Sequence, residues 1–343
     1  MYQACYASKR SKSWTTLKNL SFVVLLCAHG SLVKAQSSEE VDISKNTPIQ
    51  KLITKAGPRP KFLIINYSLL SDTEANNSTT GQTLALENFY SLDIHAKFPI
   101  VVKPDLMVLG GVKYAQTTYK LTSDENLPGI AQINSTNLLK KAGGELIIKK
   151  NIVENNFVFG YSSFTLNSDR IRLSEFPQQL NFVVTLLRGK RINEDSEFGL
   201  GAGVGSVLGK FVVFPVISYS HRFNSEWFLS IIGPKQVKLR YSRSDRIFYH
   251  GMLEANTNRF QVHRQNIDQD IQFKHGEITS SLSMEAEIHD WLWFKIRIGH
   301  KIPLSFYYSE LGNSKPDQRI AEFAMFTLFA VVPRTLMKKA KTR

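Results

Sequence analysis

Cysteine is nearly missing from this chain: of 343 residues, only Cys5 and Cys27 carry a thiol. Everything after Cys27 is therefore without a disulfide, a cysteine metal site or a thiol nucleophile. Acidic residues are missing too, but only locally, since none appears before Glu39. In that same stretch Lys9, Arg10, Lys12 and Lys18 precede an apolar run from Leu20 to Ala28, and Val33-Lys34-Ala35 stands before Gln36. A basic start, a short apolar middle and a small-residue site predict a cleaved secretory signal peptide over 1–35. The apolar run is well short of the roughly 18 residues a spanning helix needs, so a permanent helical anchor is not expected. Val24-Leu25-Leu26 before Cys27 lacks the small residue of a lipoprotein signal.

A large basic surface is also missing, despite a formal charge of +14. Five cations lie before Gln36 and five more (Arg334, Lys338, Lys339, Lys341, Arg343) lie in the tail, which leaves +4 for the body. The basic balance sits at the ends, and a nucleic-acid partner loses its main support.

After residue 40 no stretch carries a helical stripe; the repeated signal has period two. Tyr90, Leu92, Ile94, Ala96 and Phe98 share one face of a strand, and Ser91, Asp93, His95 and Lys97 the other. Ile278, Ser280, Leu282, Met284, Ala286 and Ile288 alternate with Thr279, Ser281, Ser283, Glu285 and Glu287. Leu292, Phe294, Ile296 and Ile298 then alternate with Lys295, Arg297, Gly299 and Lys301. The pattern predicts strands near 61–70, 84–98, 106–119, 138–149, 156–167, 180–190, 197–208, 211–222, 226–232, 237–249, 256–263, 271–288, 291–308 and 319–332. Several exceed the usual five or six residues, and roughly 9–11 cross a bilayer when tilted. Long polar connections (71–83, 120–137, 168–179, 309–318) alternate with short ones (99–105, 150–155, 191–196, 223–225, 289–290). Only 209–210 is short where the alternation asks for a long loop.

This is the arrangement of a transmembrane antiparallel up-and-down β-barrel, all-β, of about 12–14 strands, with short turns and both termini in the periplasm. Its parts are a signal peptide (1–35), a periplasmic lead-in (36–60), the barrel (61–332) and a basic periplasmic tail (333–343). Trp227, Trp291 and Trp293 beside short turns, with Tyr119, Tyr307 and Tyr308 toward the other ends, fit two aromatic girdles. A secreted soluble β protein is the alternative architecture.

Motifs for chemistry are scarce. Gly199, Gly201, Gly203 and Gly205 recur every second residue, so they line one face of a strand rather than a phosphate loop. No pair among the histidines has metal-ligand spacing on a helix. Ser220 and His221 are adjacent and face opposite sides, with Ser218 on the Ser220 face, so no catalytic triad forms there. The most specific constellation is the hairpin that sets Glu285 and Glu287 against Lys295 and Arg297. One register pairs Glu285 with Lys295 and brings Glu287 near Trp293; a shift by two pairs Glu287 with Lys295 and Glu285 with Arg297. The expected lumen-facing charge network is Glu285, Glu287, Lys295, Arg297 and Lys301, with Asp93, His95, Lys97 and the four glycines also facing the lumen. No catalytic residue, cofactor or metal is expected.

Lys97-Phe98-Pro99-Ile100, Leu109-Gly110-Gly111-Val112-Lys113-Tyr114, Gly199-Leu200-Gly201-Ala202-Gly203, Ile231-Ile232-Gly233-Pro234-Lys235 and Leu239-Arg240-Tyr241 carry a likeness. On these, the region from about Phe62 to Val332 resembles an uncharacterised outer-membrane β-barrel family of Bacteroidota, a domain of unknown function. The resemblance implies an outer-membrane barrel and brings no substrate or site residues.

The function expected is therefore a passive channel or small-solute transporter of a Gram-negative outer membrane, not an enzyme. A closed structural or surface-binding barrel is the second expectation, and a membrane-embedded lipid enzyme the third. The partners expected are outer-membrane lipid, the insertion machinery and periplasmic chaperones; oligomeric state is not legible.

Overall fold

A strand with one apolar and one charged face must hide one of them, and a sheet that closes on itself can point either face inward. The computed structural model describes residues 61–71, 73–76, 83–123, 138–152, 155–207, 210–263, 271–308, 312–314 and 321–331. The signal peptide, the lead-in and the basic tail lie outside the described residues. Among these residues sixteen strands follow one another: β1 (Lys61–Leu70), β2 (Thr73–Asn76), β3 (Thr83–Val102), β4 (Leu106–Ser123), β5 (Leu138–Asn151), β6 (Asn156–Ser168), β7 (Leu180–Arg191) and β8 (Ser196–Val207) come first. Then come β9 (Lys210–Arg222), β10 (Trp227–Gly233), β11 (Gln236–Ser244), β12 (Ile247–Val262), β13 (Ile271–His289), β14 (Leu292–Tyr308), β15 (Gly312–Ser314) and β16 (Ala321–Val331).

Neighbours in sequence pair antiparallel, and β1 closes the ring by pairing with both β3 and β16. Ile65, for example, stands between Ile94 of β3 and Leu328 of β16. Fourteen strands form the wall, while β2 and β15 only extend β3 and β14. A closed ring leaves no unpaired edge, which is what lets strands sit in hydrocarbon.

The short turns at 103–105, 152–155, 192–195, 223–226, 245–246 and 290–291 share one end with the start of β1 and the finish of β16. Two connections at the other end are also short: β8 to β9, and β10 to β11 through Pro234–Lys235. The expected break at 250–255 is absent. The chain turns instead at Asp245–Arg246, and β12 runs unbroken through 250–255. The ladder to the long β13 holds this stretch, with His250 to Ala255 in register with Ser283 to Ile278.

Burial is inverted relative to a soluble protein. Among the described residues thirty-seven large apolar side chains are exposed and twelve buried, while Glu285, Ser168 and Gln179 are wholly enclosed. On β13 Leu282 is 67% exposed between Ser281 and Ser283, of which Ser281 is buried. An apolar surface of this extent needs a lipid solvent. Aromatic rings bound it at both ends. Trp227, Tyr241 and Tyr249 stand in a row near the short turns (5.0 and 6.3 Å between ring centres). Tyr67–Tyr90 and Phe164–Phe182–Phe211 stand toward the other end (6.2–6.5 Å).

Leu282 sits in the middle of the outward apolar row of β13. Leu282→Arg should therefore cost about 2–4 kcal/mol when the barrel folds into vesicles, the cost of a guanidinium near the bilayer midplane. Denaturant titration of the folded protein in lipid measures it. A cost near zero would mean that water, not lipid, covers this face.

Candidate functional site

The inward faces form the candidate site, and strand register decides which of their charges meet. Across the β13–β14 hairpin Glu285 stands opposite Lys295 and Glu287 opposite Trp293, the first of the two registers open in the sequence. Arg297 stands opposite Ser283, donates to Ser281 Oγ at 2.8 Å and reaches Glu254 of β12 at 3.4 Å. Lys301 pairs with Glu277 at 3.0 Å. Arg297 thus reaches a neighbouring strand, while Lys301 finds its partner within the hairpin.

Glu285 is a hub near the short-turn end. Its Oε1 accepts from Lys61 of β1 at 2.8 Å, with His250 at 3.5 Å and Lys295 at 3.6 Å. Lys238 and Arg240 of β11 complete its surroundings. Below it an apolar layer of Phe248, Trp293, Phe329 and Val331 closes toward the short turns, with Ile64 packed against it. Trp293 is 1% exposed and stacks on Phe248 at 5.5 Å and Phe329 at 6.0 Å. Trp293 therefore belongs to this floor and not to the girdle expected for it; Trp227 and Trp291 do lie exposed near the short turns. The side chains of Tyr119, Tyr307 and Tyr308 lie outside the description.

A second hub forms on β3–β5. Glu145, missed in the sequence, accepts from His95 at 2.7 Å and pairs with Lys97 at 3.3 Å and Lys113 at 2.5 Å. Asp93 stands among Lys141, His95 and Lys113. Alternation along β5 (Lys141, Gly143, Glu145, Ile147, Lys149) was the signal that could have found Glu145.

The glycines of β8 face inward, opposite a cluster of Phe157, Leu187 and Val216 flanked by Phe159 and Phe214. A methyl group at Gly203 would run into the Phe214 ring, and one at Gly201 into the backbone of β7. Of the roles glycine could have here, making room for bulky neighbours is the one observed.

The long-loop end is drawn together across the barrel. β5 and β12 are seven strands apart in the ring of fourteen, yet Lys141 bonds Asn258. β6 meets β12 in a parallel bridge, Ser168 to Gln261. Asn167 and Asn181 both donate to the carbonyl of Arg259 (3.0 and 3.2 Å), and Ser168 Oγ to that of Gln261 (2.9 Å). The 169–179 connection lies over this bridge, with a single helical turn at Phe176–Gln179. There His263 is clamped between two carboxylates, Asp169 at Nδ1 (2.6 Å) and Glu175 at Nε2 (2.7 Å). The clamp is fully satisfied when both ring nitrogens donate. Burial opposes charge on Glu175, but bonds from His263, Gln179 and Arg172 outweigh it and hold its carboxyl below the usual range. Nothing local in the sequence announces this clamp, because its members lie up to 94 residues apart.

Ser218 and Ser220 stand on the inward side, opposite Gly199 and Glu197. His221 is on the other side and bonds Ser196 at 2.7 Å instead, so the wall separates the three. Among the described residues no group of three or more His, Cys, Asp or Glu is placed to hold a metal ion.

Closed antiparallel wall, apolar exterior, two girdles and ionised interior define an outer-membrane-type β-barrel. Residues 178–321 match the family model of a domain of unknown function, DUF6268. That match agrees with the resemblance to an uncharacterised barrel family and does not bear on its source in Bacteroidota. No curated protein matches the chain in sequence. Among solved structures the chain is similar to an outer membrane channel from Pseudomonas putida F1 (10% identity, 85% of this chain and 100% of that one, TM-score 0.39). It is similar also to the Pseudomonas putida toluene transporter TodX (9%, 86% and 94%, 0.37) and to the translocator domain of the autotransporter NalP from Neisseria meningitidis (8%, 82% and 93%, 0.38).

The two neighbouring tryptophans separate floor from girdle. Trp293→Ala should cost about 3–5 kcal/mol, as for a large buried aromatic, while Trp291→Ala costs less than about 1 kcal/mol. Brominated lipid should quench Trp291 and spare Trp293; equal quenching of both would place Trp293 on the outside.

Proposed function

We propose that the chain is an outer-membrane channel for small solutes, with a preference for anions and a gate at its long-loop mouth. The observation that carries this reading is the charge of the inward faces. Among the described residues, Lys61, Lys97, Lys113, Lys141, Lys149, Arg191, Lys238, Arg240, Lys295, Arg297 and Lys301 stand against Asp93, Glu145, Glu197, Glu254, Glu277, Glu285 and Glu287. A lumen whose cations outnumber its carboxylates concentrates anions and repels cations. A barrel that only needed its interior filled could do so with neutral packing, at lower desolvation cost. In this reading the short turns and both termini face the periplasm, lipid surrounds the wall, and insertion relies on periplasmic chaperones and the outer-membrane machinery.

The β6–β12 bridge and the His263 clamp would then be the gate. Glu175 has a depressed pKa in the clamped form, so its contribution is fully present above the ordinary carboxylate range. That contribution is lost as pH falls through the depressed value. His263 and Arg172 are the charged groups in contact with it, and Asp169 holds the other ring nitrogen of His263.

A second reading, a closed structural barrel, is favoured by the apolar floor of Trp293 and Phe329 and by the bridge across the mouth.

Planar-bilayer recording decides between them. The channel reading expects conductance above lipid background, a reversal potential in a potassium chloride gradient displaced toward anions, and larger conductance on acidification. Glu175→Gln should raise conductance at neutral pH and flatten its acid dependence. Silence from both wild type and Glu175→Gln would leave the closed barrel.

A further inference from the structure

Most ionisable side chains described above point into the lumen, but His300 and Glu322 do not. Both are exposed, and they share the outward side of β14 and β16 with the exposed Ile298 and Phe326. Along β14 apolar residues flank His300 on both sides, Ile298 before it and Ile302 and Leu304 after it, all exposed. An ionisable group set in a lipid-facing apolar row is costly to keep and calls for a functional reason.

Strand register brings a hydroxyl to the same place. Ser280 of β13 stands opposite His300, and His300 stands opposite Glu322 of β16. Three consecutive strands thus present serine, histidine and glutamate side by side, in that order, at one level of the outer wall. Directly opposite residues of an antiparallel pair have Cβ atoms about 4.5–5.5 Å apart. Rotation about side-chain bonds then lets the imidazole reach a hydroxyl on one side and a carboxylate on the other. Those two hydrogen bonds are not formed in this structure, and catalytic hydrogen bonds often tighten only around substrate. Ser71 anchors the end of the row. Its N–H donates to the Glu322 carbonyl, and the Glu322 N–H donates to Ser71 Oγ, each at 2.9 Å.

The row opens on a groove of about 980 Å³, lined by Ser280, His300 and Glu322 together with Leu253, Leu282 and Ile298. Its depth comes from small residues one level nearer the short turns, Gly251 opposite Leu282 and Ala324 opposite Ile298. A methyl group at Gly251 would meet only Leu282, at 3.9 Å. That lower level continues to Leu69, which stands opposite Tyr90 of the long-loop girdle. The row therefore lies at the rim of the apolar band, where acyl chains join lipid headgroups.

We propose that Ser280, His300 and Glu322 form a hydrolytic site for the acyl ester of a membrane lipid, with the acyl chain lying in the groove. Ser280 Oγ attacks the ester carbonyl carbon while His300 takes the hydroxyl proton. The bond from that carbon to the alcohol oxygen breaks, and His300 gives the proton to the departing alcohol. Water then attacks the acyl-serine, passing a proton to His300, which returns it to Ser280 Oγ as the fatty acid leaves. Glu322 is a positioning residue that holds the imidazole N–H and favours the imidazolium. The site uses no part of the lumen, so it does not depend on the channel reading.

The folded chain in mixed micelles tests this with a fluorophosphonate probe and, separately, with a diacyl phospholipid and with lipid A. A probe adduct on Ser280, read by peptide mass spectrometry, and fatty acid release from at least one lipid are expected; the two lipid arms identify the source of the ester. Ser280→Ala should abolish both signals, and His300→Asn should slow release about 10²–10⁴-fold. Glu322→Gln should lower kcat and leave KM unchanged, with Glu322→Asp recovering part of the loss, a split that a merely structural role would not give. Heat-dependent gel mobility checks that each variant is folded, and the adduct on wild type needs no variant. No adduct on Ser280, no fatty acid from either lipid, or release that persists in folded Ser280→Ala would overturn the site. Conductance without release overturns the site alone, and release without conductance overturns the channel alone.

Discussion

In hydrocarbon an unpaired backbone amide or carbonyl costs several kcal/mol, and water is not there to relieve it. That cost forces β1 to pair on both sides, with β16 and with β3, and the rest of the structure follows from the closure. Once the ring is shut, every strand has one face toward lipid and one toward the lumen, with no third place for a charge. Ionised residues from strands distant in sequence are thereby pressed into a common interior. Lys61 and Glu285 meet although they are 224 residues apart.

Closure also explains how the interior can be crossed. Asn258 of β12 and Lys141 of β5 belong to opposite walls, and a wide circular barrel would keep them apart. The bridge from Ser168 to Gln261 and the clamp on His263 draw these walls together at one end, while Trp293 and Phe329 fill the other. Between those two ends lie the hubs of Glu145 and Glu285. A polar clamp above and aromatic packing below bound this ionised interior.

Much of the wall was legible because its signal is local. Period-two alternation gave fourteen strand regions, and β1 matches its expected span at both ends. Hairpin arithmetic offered Glu285 against Lys295 as one of two registers, and the barrel adopts it. Where sequence reasoning failed, two local rules competed. Trp293 shares the parity of Lys295 and Arg297 and so had to face inward, but its position beside a turn suggested a girdle. The 250–255 stretch fell between two expected strands, while the long β13 ladder holds it as strand. The clamp had no local signal at all, since Asp169, Glu175 and His263 become neighbours only when β6 and β12 meet across the ring.

The central claim is that the inward face is wetted and cation-rich while the outward face is covered by lipid. No residue beyond Cys27 carries a thiol, so single cysteines can report on each face. The direct measurement is the labelling rate of Ser283→Cys and Leu282→Cys, in protein folded into vesicles, by water-soluble thiol reagents of negative and of positive charge. The account predicts labelling at 283 and none at 282, with the negative reagent faster. Equal labelling at the two positions, or a faster positive reagent at 283, would contradict it.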